Sequence, residues 1–226
     1  MPTIQEHYAQ FIAAPRDFLS RHAVKTRLSG GESTGEKSVY FTCLEQAEDN
    51  PDVDFAILPE GAPEISAMEI RVYFIGTTPY AAVERNTFLP CGQAPNPFAI
   101  PPGAPYDLVV TSTLTGCTIA HVLNNPAGPL LCHVQPTGKM SGLQLQHALQ
   151  RPRRIMAESN IPPDFFGRED FRVGTANVIG VKENGRWCFY VQYCAGNYSI
   201  PSSVSSLKSS PRSMARQLWG SIQSFT

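Results

Sequence analysis

Cys117 and His133 are the residues of this chain whose types and spacing suit covalent chemistry. A thiol becomes a nucleophile when an imidazole takes its proton, so the pair is the minimum apparatus for thiolate catalysis. Two apolar, β-branched runs lie between them, Thr118 to Leu123 and Pro129 to Val134, parted by Asn124-Asn125-Pro126-Ala127-Gly128. That pattern predicts a β-hairpin. Antiparallel strands bring distant positions together, so the hairpin sets the thiol beside the imidazole across 133 − 117 = 16 positions. Gly116 allows a sharp bend before Cys117, and the Thr115-Gly116 turn exposes backbone amides suited to holding an oxyanion.

Other arrangements compete for these residues. His121 lies four positions after Cys117 and is ~13 Å away on a straight strand, too far to serve as the base. A zinc site from Cys117, His121, Cys132 and His133 has the right residue types but poor geometry. Neighbours Cys132 and His133 point to opposite faces of a strand, and the chain holds no Cys-x-x-Cys pair. Thr111 would stand ~20 Å from Cys117 on a straight strand, so it joins the site only if Ser112 to Gly116 folds back. A free Cys is more often a small buried hydrophobe than a nucleophile. A non-catalytic binding module with structural Cys117 and His133 is therefore one alternative, and a cysteine protease is another.

Thr111-x-x-Leu114-Thr115-Gly116-Cys117, followed by Gly128-Pro129 and His133, resembles the catalytic core of the bacterial glutamine-deamidase toxins. This family includes the cytotoxic necrotizing factor catalytic domain and the Burkholderia lethal factor-like proteins. The shared motif is Leu-Ser-Gly-Cys with a His one hairpin later; Thr115 stands here in place of the Ser and keeps the hydroxyl. The likeness covers about residues 108 to 136, with a weaker echo at Val173-Gly174-Thr175 and Trp187. It implies an α+β fold and conversion of a Gln in a host protein to Glu, by Cys117 and His133, with Thr111 orienting the imidazole. Transglutamination is the same chemistry with an amine in place of water. The implied substrates are a Rho-type GTPase or a translation-initiation helicase, with no cofactor and no metal. The implied location is the bacterial cytoplasm before export, then the host cytosol.

Composition sets the bounds. The 226 residues suit one catalytic domain, its deamidase-like core at about 108–194, and a monomer is expected. Hydrophobic content of 42% supports a real core, while 16% charge, 20 Pro and 17 Gly favour short strands and many turns. A net charge of −1 and no broad basic face argue against nucleic acid; Arg151-Pro152-Arg153-Arg154 reads as a solvated loop. No run reaches the ~20 apolar residues of a membrane span. The N-terminus lacks an apolar signal core, so delivery without a cleaved signal is expected. Six Cys inside apolar runs of a long chain read as reduced thiols.

The elements that must position the pair follow from periodicity. Helices are expected at 4–12, 16–24, 140–149 and from Pro211 onward. Strands are expected at 37–44, 68–75, 80–85 and 108–110, and a second hairpin at 176–181 and 186–193 turns at Asn184-Gly185. Loops are expected at 29–35, 77–79, 90–105 and 161–171; the first reads as mobile surface, and 90–105 as one rim of the site. Asp52 and Asp54 sit in an acidic turn without further carboxylates at metal-binding spacing. Trp187, Phe189, Val191 and Tyr193 share a face, either core or site wall. The fold class is α+β, a β-sandwich or strongly twisted mixed sheet with peripheral helices.

Overall fold

Thr3 and Glu6 start the first helix reciprocally: the Thr3 hydroxyl accepts the Glu6 amide and the Glu6 carboxylate accepts the Thr3 amide. The computed structural model describes residues 2–43, 55–61, 67–85, 100–101, 105–122, 128–150, 164–171, 174–194 and 214–217. In chain order its elements are α1 (Ile4–Ala13), α2 (Pro15–Arg21), β1 (Val24–Thr26), β2 (Gly35–Cys43), β3 (Phe55–Pro59), β4 (Ala67–Ile75) and β5 (Thr77–Pro79). Then come α3 (Tyr80–Arg85), β6 (Leu108–Thr111), β7 (Thr118–Val122), β8 (Leu130–Gln135), α4 (Gly142–Gln150), β9 (Asp164–Phe166), β10 (Thr175–Glu183), β11 (Arg186–Cys194) and β12 (Met214–Gln217). The fold is α+β.

Two sheets carry these strands. The larger runs β1-β3-β2-β4-β6-β10-β11-β12 and the smaller β5-β8-β7-β9. Their alternating residues divide among three apolar layers. Val72, Phe74, Val110 and Ile179 face α1 and α2, where Phe11 and Phe18 pack in the same cluster. Ile75, Val109, Val178 and Phe189 face the other way and meet Ile119 and Leu131 of the smaller sheet. The far side of that sheet presents Ala120, Cys132 and Val134 to Leu145 and Leu149 of α4. A period of two thus sorts each strand between neighbouring layers. The result is a β-sandwich covered by helices, and among the described residues no helix is long and apolar enough to cross a membrane.

The hairpins at 118–135 and 175–194 form as their patterns predict, the second with Asn184 at φ 50° and Gly185 at φ 77°. Phe189 and Val191 belong to the inter-sheet core rather than to a site wall. Four expectations are corrected. Tyr80–Arg85 is a helix, since a single turn against β5 and β8 seats Val83 in the outer core. Thr77–Pro79 is a strand because it pairs in parallel with β8. Residues 214–217 form a strand rather than part of a helix, covering the edge of β11. Asp164–Phe166 pairs with β7 inside the segment read as a loop. The stretches 90–99 and 151–154, and Asp52 with Asp54, lie outside the described residues.

Candidate active site

β6 ends at Thr111, but its chain keeps to β10. Val110 pairs with Ile179 and Leu114 bridges to Ala176, so four steps on one strand match three on the other. That extra residue is a β-bulge. The Leu114 and Ala176 amides and carbonyls exchange hydrogen bonds of 2.8 and 3.0 Å. The Thr113 hydroxyl donates to Asn177 Oδ1 at 2.9 Å. Ser112 to Leu114 therefore does not fold back toward Thr111. The chain leaves the larger sheet only at Thr115 and enters the smaller one at Thr118. Cys117 sits in that crossover.

Within the smaller sheet Ile119 pairs with His133 and Thr118 with Val134. Cys117 precedes β7 by one residue and joins Ile119, the ladder partner of His133, in the inter-sheet cluster, and its sulfur makes no hydrogen bond to either ring nitrogen of His133. Cys117 and His133 both face the inter-sheet layer. Cys117 is 8% exposed at its margin and His133 is 0% exposed. Thr111, two residues on from Val109, faces the same layer.

Electrostatics favours neutral groups here. Burial pushes the Cys117 thiol up to about 11, opposed by a backbone hydrogen bond from Gly116. Burial brings His133 down to about 4. Neither ring nitrogen of His133 has a hydrogen-bond partner among the described residues. The Thr111 hydroxyl donates to Ser112 O at 2.9 Å, so a Thr111–His133 bond is not made in this structure. At neutral pH the resting pair is thiol and imidazole.

The other candidates separate. His121 continues the unbroken β7 strand, paired with Leu131 and Asp164, and burial depresses its basicity. His147 is exposed on α4 and contacts Glu169 Oε1 at 2.5 Å. Cys132 lies in the outer core, on the face opposite His133, with its thiol pushed up to about 12 by burial. Among the described residues no three His, Cys, Asp or Glu converge on a metal position. Cys117, Cys132 and Cys188 are free thiols. Of the weaker echo, Gly174 offers its carbonyl to Arg168, and Trp187 stacks on Tyr106 at 6.0 Å.

Gly116 is not in the left-handed region, and a Cβ there would meet nothing nearer than 3.9 Å. Conformational need does not explain this glycine. The surroundings of His133 come from residues with no chemical signature in the sequence. Thr77 of β5 is the parallel partner of His133. The 29–35 loop is anchored beside it rather than loose: Gly30 O accepts the Thr77 amide at 2.9 Å, and Thr34 Oγ1 accepts the Gly76 amide at 2.9 Å. A Cβ on Gly76 would lie 2.1 Å from Glu32 O, which records how closely the loop is pressed on. The Gly-rich composition that suggested mobility was the available signal for close backbone approach. Arg168 reaches Thr115 O at 3.5 Å and Gly174 O at 3.0 Å, and Gly142 abuts Gly116. No family model matches this chain, and no curated protein matches it in sequence.

Proposed function

We propose that this protein is a glutamine deamidase acting on a protein side chain, with Cys117 as nucleophile and His133 as general base and acid. The observation that carries the reading is that Cys117 shares the inter-sheet cluster with Ile119, the ladder partner of His133. The likeness of the Thr111 to His133 motif to the deamidase toxins supports it and makes a host protein the proposed substrate.

A neutral imidazole is the form that can accept a proton. His133 takes the Cys117 proton as sulfur attacks the side-chain carboxamide carbon, forming a C–S bond while the carbonyl electrons move to oxygen. Backbone amides at the Thr115–Cys117 crossover hold that oxyanion. The C–N bond then breaks, the imidazolium gives its proton to the departing ammonia, and a thioester remains. Water, deprotonated by His133, attacks the thioester; the C–S bond breaks, sulfur regains a proton and Glu is released. Thr111 is the proposed third member on the motif likeness: Ser112 to Leu114 stays on β10 and the Thr111 hydroxyl donates to Ser112 O, so its bond to the imidazole would have to form when substrate binds. At 8% exposure, Cys117 is reached more readily by a slender side chain than by a peptide main chain. Deamidation is therefore favoured over proteolysis.

The test is mass spectrometry of host-cell proteins exposed to wild type or Cys117→Ala. One or a few Gln residues should convert to Glu with wild type only. Conversion by a folded Cys117→Ala protein, or none by wild type, refutes the assignment. The complete burial of His133 favours one competing reading, a binding module with a structural Cys and His. Absence of turnover together with stable capture of a host protein would establish it.

A further inference from the structure

We propose that Gly142 is a positioning residue for Cys117: its missing side chain lets the first turn of α4 seat against the Gly116 backbone and hold the crossover in place. The inference rests on the catalytic reading of Cys117. A Cβ on Gly142 would lie 2.6 Å from Gly116 O, 2.9 Å from its Cα and 3.1 Å from its C. All three are backbone atoms, so no side-chain rotation relieves the clash. Gly142 opens α4 and is not in the left-handed region, so backbone conformation does not call for glycine there. The contact with Gly116 does. The α4 end is itself fixed, because Ser141 Oγ accepts the Gln144 amide at 3.2 Å and Gln144 Oε1 accepts the Ser141 amide at 2.8 Å.

The 167–171 turn, bonded to α4 through Gln146, meets the crossover as well. A Cβ on Gly167 would lie 2.6 Å from Thr118 Oγ1, and the adjacent Arg168 reaches the Thr115 carbonyl while lying over Phe171. Residues 115–118 are therefore packed against α4 and the turn bonded to it. Gly116, pressed by Gly142, supplies the backbone hydrogen bond to the Cys117 thiol. Displacing α4 displaces that bond and releases the thiol from its buried seat.

The experiment compares site-resolved iodoacetamide labelling in wild type and Gly142→Ala, using Cys132 as an internal gauge of global opening. Cys117 should label roughly tenfold faster in the variant, with the midpoint of its pH profile falling toward the ordinary thiol range, while Cys132 stays protected. Wild-type labelling of Cys117 in a folded Gly142→Ala protein, or equal acceleration of Cys117 and Cys132, overturns the proposal. Should Gly142→Ala not fold, Arg168→Gln releases the contact between the 167–171 turn and Thr115. It should accelerate Cys117 alone, and unchanged labelling there is equally decisive against the clamp. No substrate enters these measurements, so failure of the deamidase assignment would leave their outcome readable.

Discussion

His133 is paired with Ile119 across the β7–β8 ladder, and Ile119 packs in the same inter-sheet cluster as Cys117. His121 lies on the face of Ile119 too, but one full ladder repeat further along an unbroken strand. Position, not residue type, therefore separates the two imidazoles. His133→Gln should lose roughly 10²–10⁴-fold in turnover, the range for a missing general base. His121→Gln and His147→Gln should keep turnover per folded molecule. Steady-state kinetics normalised to the folded fraction checks this. A dead His121 variant beside an active His133 variant would reverse the pairing.

Thr111→Val and Thr111→Ser separate the hydroxyl from the shape of the side chain. The Ser variant should stay largely active. The Val variant loses the bond to Ser112 O, costing about 1 kcal/mol of stability, and also the lone pairs offered to His133. Its transition-state stabilisation should fall by about 1–3 kcal/mol, lowering kcat about five- to 150-fold. If denaturant melts show the stability loss but kcat is unchanged, Thr111 is a packing residue only.

Acid should destabilise the fold well before the carboxylates titrate. His133 falls from 6.5 to about 4 because burial disfavours the imidazolium. Between those values the unfolded chain binds a proton that the folded one does not. Stability is thus present above about pH 6.5 and is lost as pH drops toward 4, to the extent of about 3 kcal/mol. His121, also depressed by burial, acts in the same direction. Urea melts across this interval should show the decline, and His133→Leu should flatten it. An unchanged slope in that variant would mean the folded protein protonates His133 freely.

The two hairpins and the α+β class were legible in the sequence because they are local. Alternation of period two, the Asn184-Gly185 turn and the apolar runs either side of residues 124–128 need only neighbouring residues to act. Other features depended on partners distant in the chain. Thr77 became a strand residue because β8 lies alongside, 214–217 extended because β11 had an open edge, and the 29–35 loop was anchored by Gly76 and Thr77. Alternation says which residues share a face but not which layer that face meets. Only packing set His133 between two sheets and Cys132 against α4, and with that held the Cys117 thiol and the His133 imidazole in their neutral forms. The approach of Gly142 to Gly116 belongs to the same class. A glycine chosen for contact with remote backbone reads, along the chain, like any other glycine, since the missing Cβ has meaning only when the other backbone is present.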